Sequence, residues 1–255
     1  MSMVSEAVIL MAGQGSRLRD SENNFLKPFA PVLGRPLISY TLDLLAYAGI
    51  ERLCLVVGYE SERMITQLER LIGSRIRASY IQNRDWQKQN GISLLAAAGH
   101  VRGPFLLTMG DHLFDHAIVD RLLDSFDPQL LNMAVDRKLD QVFDLHDAMK
   151  VQTRRNKVIA IGKELQRYDA IDTGFFICPL EIFDYLKRSK RNGDCSLADG
   201  ARLMAGDNRV RAIDIGQSWW QDVDTLEMLW HAEQKMRAPA KQENRVEPAS
   251  YRAGS

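Results

Sequence analysis

Through the first part of the chain, short apolar runs alternate with helix-like patterns. They fall at residues 7–11, 37–47, 53–57, 64–72, 76–81, 92–98 and 105–109. This strand–helix rhythm over 6–107 predicts a parallel sheet with crossover helices. Gly49, Gly73 and Gly103 fall near the ends of the helical stretches, where a left-handed cap or a tight return is needed. The second half is less regular. Strands are expected at 132–135, 148–152, 158–161, 173–177 and 210–213, with helices near 180–186, 197–204 and 226–235, so a mixed sheet or a small β subdomain is implied. No repeat with a solenoid period is visible. Beyond residue 237 the large apolar groups are Val246 and Tyr251, set among prolines and scattered charges, which reads as a disordered tail over 238–255.

Composition narrows this picture. A chain of 255 residues and 29.0 kDa with 45% apolar residues can bury roughly three quarters of its unfolded surface, so a self-sufficient core is available. The longest apolar run near the start, 7–12, is far below a membrane span, and Glu6 precedes it where a signal peptide carries positive charge. No membrane insertion and a cytoplasmic location are therefore expected. Cys54, Cys178 and Cys195 have no metal-type spacing and read as buried thiols.

Lys and Arg number 33, as do Asp and Glu, so there is no global positive excess for a nucleic acid or an anionic membrane surface. Charge is uneven locally. Residues 150–167 hold six basic side chains against one acidic, and 111–127 hold five aspartates against one arginine. Each run is either a solvated face or, alternatively, a basic wall for a substrate phosphate and an acidic edge for a metal.

Four segments carry chemistry. In the first, an apolar strand ending at Met11 runs into Ala12, Gly13, Gly15 and Ser16. Such small residues let the backbone approach a ligand with its N–H groups pointed at phosphate oxygens. Arg17 and Lys27 add the cations that a nucleoside triphosphate tail requires. The spacing is neither a dinucleotide fingerprint nor a P-loop, because Leu18 stands where the third glycine would be and no Lys-Ser/Thr pair follows the second. In the second segment, Asn90, Gly91 and Ser93 open a helix that Asn90 or Ser93 could cap.

The third segment, Leu106 to His112, ends a buried strand in Gly110 and Asp111. That sets a carboxylate at the carboxyl edge of a parallel sheet, as a hard oxygen ligand suited to Mg²⁺ or as a turn aspartate. In the fourth, Asp222 and Asp224 point to one side of an extended backbone, and Asp224 with Glu227 also resembles a capping box.

The residues Ala12, Gly13, Gly15, Ser16, Arg17, Lys27 and Pro28, with Gly34 to Ile38, resemble the signature of the sugar-phosphate nucleotidyltransferases. The longer set Gly110–His112, Asp136, Arg137, Lys150, 161–165, 168–176 and 220–225 is similar to the CTP:inositol-1-phosphate cytidylyltransferases, over roughly 6–236. The resemblance implies a Rossmann-like, GT-A-like α/β fold, with a mixed, mostly parallel central sheet flanked by helices and a small β subdomain. It implies one nucleotidyltransferase domain over 1–237, with a nucleotide half near 6–135 and an acceptor half near 136–237.

By the same resemblance, Ala12, Gly13, Gly15 and Ser16 hold CTP, with Asn90, Gly91 and Ser93 around base and ribose and Gln82 or Asn83 on the base. Arg17 and Lys27 act in catalysis. Asp111 and Asp224 bind Mg²⁺, and Asp222 is a ligand or an outer support. Lys150 and Lys163 are expected near the acceptor phosphate, with Asp172 and Thr173 beside the polyol.

The activity implied is transfer of CMP from CTP to a phosphorylated alcohol, inositol 1-phosphate first, giving a CDP-alcohol and pyrophosphate. The CDP-alcohol would serve as a phospholipid precursor. Alternatives are another acceptor, such as a sugar 1-phosphate, phosphocholine or a phosphonate, and a catalytically silent nucleotide sensor. The partners implied are small molecules, a separate CDP-alcohol phosphotransferase downstream, and a second copy in a homodimer.

Overall fold

The computed structural model describes residues 4–18, 25–72 and 76–237; Gly73 and the 238–255 tail lie outside them. Strands β1 (Glu6–Met11), β4 (Arg52–Val57), β5 (Arg77–Gln82) and β6 (Phe105–Met109) pair in parallel in the order β5-β4-β1-β6. Between β1 and β4 come the two-residue strands β2 (Pro31–Val32) and β3 (Arg35–Pro36), then helix α1 (Leu37–Tyr47). Helices α2 (Ser61–Ile72) and α3 (Asn90–Ala96) make the next crossovers. Because β1 lies between β4 and β6, successive connections leave it in opposite directions, and a crevice opens at the carboxyl ends of β1 and β6.

The sheet continues through the second half. After β7 (His112–Phe114), α4 (His116–Ser125) and β8 (Leu131–Asp136) come the hairpin β9 (Lys150–Arg154) and β10 (Lys157–Gly162), then β11 (Ala170–Cys178). Helices α5 (Ile182–Ser189) and α6 (Leu197–Gly206), strands β12 (Val210–Asp214) and β13 (Trp220–Asp222), and helix α7 (Leu226–Arg237) complete the described chain. The nine-stranded order ends β6-β11-β8-β12-β10-β9, and β9 also pairs with the start of β11 at Ala170 and Ile171. The expected β subdomain is therefore the far edge of the main sheet, curled back on itself.

Alternation within β1 divides the core. Val8 and Leu10 face a cluster containing Leu94, Phe105, Phe183, Leu186 and Met204 under α3, α5 and α6. Ala7, Ile9 and Met11 face a second cluster with Ile38, Leu45, Met64, Leu68, Ile118 and Leu122 under α1, α2 and α4. A small third cluster of Leu18, Ala30, Val32, Leu113, Val223 and Ala232 seats α7 beside the crevice.

The two charge runs resolve mainly into solvated faces. Within 111–127, helix α4 buries Ile118, Val119 and Leu122 and turns Asp124 outward, so that part of the run is a solvated helix face, while Asp111 stands apart from it in the crevice. The basic stretch 150–167 is not a continuous wall. Arg154, Arg155 and Lys157 lie exposed at the β9–β10 turn, and Arg167 is exposed beyond it.

Candidate active site

The glycine-rich loop follows β1 directly, and its two glycines have different work. A side chain at Gly13 would meet nothing within 4 Å, so the loop is open there to an approaching ligand. Gly15 has φ +62°, and a Cβ on it would lie 2.6 Å from Cβ of Lys27. Only glycine fits both that backbone and that contact. The space left by Gly15 is filled by the Lys27 side chain on its way to the crevice.

The Lys27 ammonium ends between two carboxylates, Asp111 after β6 and Asp224 after β13, and donates to both. All three are largely enclosed, with side-chain exposures of 11% for Lys27, 24% for Asp111 and 18% for Asp224. Burial alone would lower the lysine pKa, but the two carboxylates outweigh it and keep the ammonium charged. Burial likewise opposes ionisation of Asp111, yet Lys27 and His112 hold its carboxyl well below the usual range. The second oxygen of Asp224 accepts from Nη2 of Arg17 at 2.7 Å.

Asp111 and Asp224, far apart in sequence, thus converge on a single cation, which here is Lys27. Two hard oxygen donors fit Mg²⁺, which keeps several waters and takes its remaining ligands from substrate phosphates. Asp222 lines the same crevice one residue before Val223, whose N–H donates to the Asp111 carbonyl at 2.9 Å. Burial pushes the Asp222 carboxyl up, and Asp224 and Asp111 add to it. Among the described residues no group of three or more His, Cys, Asp or Glu side chains is arranged to hold a metal by itself.

Arg17, Asp222 and Asp224 stand at the edge of a cavity of about 820 Å³, within the range of small-molecule sites. Its wall includes Asp136, Lys138, Lys163, Asp172, Arg202 and Trp220. Segment 141–149 covers one side, with Phe143 against the His231 ring of α7 at 4.7 Å. On that segment Asp147 pairs with Lys163 and lies 3.8 Å from Arg17. The Lys163 hydrogen bond holds the Asp147 carboxyl below its ordinary range. Asp172 accepts from the Gly174 N–H at 2.9 Å, and burial pushes its carboxyl up to about 6.

Other residues singled out from the sequence have structural work. Thr173 is fully buried, and its hydroxyl donates to the Ala134 carbonyl within the sheet. Lys150 donates to the carbonyls of His146 at 3.0 Å and Lys163 at 2.7 Å, bracing the loop over the cavity, and is not part of the wall. Asn83 donates to the Ser93 hydroxyl at 3.0 Å and both are buried, so they tie the 83–93 loop to α3. A Cβ at Gly91 would fall 2.6 Å from the Cys195 carbonyl, which makes this glycine the contact between α3 and the segment before α6. Gln82 is exposed and bonded to Ser61.

Neither Asn90 nor Ser93 caps α3. The Asn90 side-chain Oδ1 instead accepts from Leu197 N–H at the start of α6. The start of α7 is likewise held by the Thr225 hydroxyl, which accepts from Met228 N–H, leaving the Asp224 carboxylate free for Lys27 and Arg17. The three cysteines are buried and free. Sequence reading missed Asp147, Arg202 and the Gly174 notch beside His112. The first two sit among ordinary surface charges, and only the Gly after Asp172-Thr173 signalled the third.

Comparison with known proteins fits this architecture. Residues 7–159 match the MobA-like NTP transferase domain. A "Bifunctional IPC transferase and DIPP synthase" of Aquifex aeolicus is 31% identical over 229 residues, covering 88% of this chain and 50% of the relative. One of the same name from Thermococcus kodakarensis is 33% identical, covering 90% and 50%. The chain therefore spans about half the length of these curated relatives. The solved inositol-1-phosphate CTP transferase from T. maritima superposes with a TM-score of 0.82 over 94% of this chain and 98% of that one, at 23% identity, a likeness of fold. No helix among the described residues is long and apolar enough to cross a membrane. On the match over 7–159, which contains the glycine loop, Lys27 and Asp111, the chain belongs to the MobA-like NTP transferase domain family.

Proposed function

We propose that the protein is a cytidylyltransferase that transfers CMP from CTP to a phosphorylated alcohol, inositol 1-phosphate first among them. The single observation that carries this is the meeting of Lys27, Asp111 and Asp224 between the open glycine loop and the cavity. A reaction centre is thereby set where a triphosphate on one side and an acceptor phosphate on the other can meet. The choice of CTP and inositol 1-phosphate follows the solved inositol-1-phosphate CTP transferase whose fold this chain shares.

In this reading residues 6–135 bind the nucleotide and 136–237 the acceptor. An oxygen of the acceptor phosphate attacks the α-phosphorus of CTP. The bond from that phosphorus to the β-phosphate bridging oxygen breaks, and pyrophosphate leaves with the electron pair. The attacking oxygen is already anionic near neutral pH, so no general base is required. Mg²⁺ held by Asp111 and Asp224 would supply Lewis-acid stabilisation of the phosphate charge.

The chain's own residues do the rest. The N–H groups after β1 face the triphosphate across Gly13. Lys27, released from the two carboxylates, and Arg17 neutralise the tail. Lys163 and Arg202 on the cavity wall hold the acceptor phosphate, and Asp172 accepts hydroxyl hydrogens of a polyol. The CDP-alcohol formed is the kind of substrate that a CDP-alcohol phosphotransferase consumes in making a phospholipid.

The test is a panel of four nucleoside triphosphates against inositol 1-phosphate, glucose 1-phosphate and phosphocholine, read by pyrophosphate release. CTP with inositol 1-phosphate is expected to give the highest rate. CTP binding without release for any acceptor would instead favour a nucleotide sensor.

A further inference from the structure

Strand β11 carries an irregularity whose purpose lies across the crevice. Its pairing with β8 slips between Asp172 and Phe176, and within the slip Gly174 adopts φ +75°. Such bulges re-aim side chains near functional sites. Here the bulge turns Asp172 into the cavity, with its carboxylate accepting from the Gly174 N–H. It also opens a notch: a Cβ on Gly174 would stand 2.6 Å from Nε2 and 2.9 Å from Cδ2 of His112.

Packing holds His112 in that notch at the cavity wall. Its ring stacks on Phe114 at 5.8 Å and on Trp220 at 6.2 Å, and the Trp220 indole is fixed by donating to Asp136 at 2.9 Å. Its backbone carbonyl accepts from the Thr41 hydroxyl, and β7 pairs it opposite Asp222. The ring orientation is therefore set, and Nδ1–H donates to Oδ1 of Asp111 at 2.6 Å. The other oxygen of Asp111 is the one turned to the Lys27 ammonium.

We infer that the Gly174 notch and the His112 ring are a positioning device: they fix which oxygen of Asp111 faces the bound cation, so that residue 174, which does not touch the cation, sets its affinity. The inference rests on the reading that Asp111 and Asp224 hold the divalent ion. An outer partner of a ligating carboxylate typically changes metal affinity by about 10–100-fold.

The experiment measures Mn²⁺ binding to the intact protein without nucleotide, by electron paramagnetic resonance of the free ion, alongside thermal melting. His112→Phe keeps the stacking and loses the donor, and should weaken Mn²⁺ binding by about 10-fold or more. His112→Asn places an amide N–H near the Nδ1 position and should retain binding within a few-fold. Gly174→Ala, which pushes the ring out of its notch, should behave like His112→Phe. With CTP turnover as a second readout, the half-saturating Mg²⁺ concentration should rise while kcat at saturating Mg²⁺ changes much less. Wild-type Mn²⁺ affinity in a folded His112→Phe protein would overturn the inference, whether or not Gly174→Ala folds. Asp111→Asn and Asp224→Asn serve as the control: if they too bind Mn²⁺ as wild type, the metal reading itself fails.

Discussion

Lys27 and Asp224 are 197 residues apart in sequence, yet the ammonium of one donates to the carboxylate of the other inside the crevice. The same ammonium also donates to Asp111. An internal cation thus holds together the two carboxylates that the proposed function assigns to the metal, and the same lysine is the one it assigns to the triphosphate.

Removing that cation should expose the cost of two carboxylates left together. Lys27→Met is expected to lower stability by about 3 kcal/mol or more in EDTA, since a buried charge loses its partner. Added Mg²⁺ should restore part of the loss by binding between Asp111 and Asp224. Turnover of CTP should fall by at least about 100-fold. Melting curves with and without Mg²⁺, followed by rate measurements at saturating metal, check both parts.

The two loop glycines should separate cleanly. Gly15→Ala puts a side chain at φ +62° against Lys27 and should cost about 1–3 kcal/mol as well as activity. Gly13→Ala has open space around it, so its melting temperature should stay near wild type while the KM for CTP rises. Equal destabilisation by both would contradict the division of work between them.

Asp172 predicts a pH dependence whose sign is fixed. Its carboxyl is raised from 3.8 to about 6 by burial, so between those values the folded state keeps a proton that the unfolded state releases. Stability contributed by this group is full below the unfolded value and is lost as pH rises through about 6, by up to roughly 3 kcal/mol. Asp172→Asn should therefore leave stability unchanged near pH 4 and raise it near pH 8. Melting temperature against pH for the two proteins is the measurement.

Asp147 pairs with Lys163, the lysine proposed for the acceptor phosphate, and lies 3.8 Å from Arg17. These groups are exposed, so Asp147→Ala should change stability by no more than about 0.5 kcal/mol. The freed cations should lower the acceptor KM by roughly two- to threefold. Steady-state kinetics in the acceptor, with CTP saturating, would detect this, and a raised KM would assign the carboxylate to substrate binding instead.

Much of this was legible in the sequence because the elements that build the crevice have strong local patterns. The apolar runs of β1, β4 and β6 and the periodicity of α1 leave little choice, and the glycine loop with Asp111 follows from where those strands end. Helix α4 is hard to read locally because its three buried positions are matched by three charged ones, Asp120, Arg121 and Asp124, within barely three turns. Thr173 also makes a sheet hydrogen bond, and Gly91 a close contact between α3 and the segment before α6. Such roles depend on partners far along the chain, Ala134 and Cys195, which local pattern does not reveal. The placement of Lys27 between Asp111 and Asp224 is of the same kind: each residue stood out alone, but their contact is a property of the fold.

The proposed reaction joins CTP and a phosphorylated polyol across the Lys27, Asp111 and Asp224 centre. Its most direct test is to incubate the protein with CTP, Mg²⁺ and inositol 1-phosphate and follow the phosphorus resonances of the products. The expected products are CDP-inositol, seen as a diphosphate pair of resonances, and pyrophosphate in equal amounts, both abolished by Asp224→Asn. Pyrophosphate release without a CDP-alcohol, or an undiminished yield from Asp224→Asn, would contradict it.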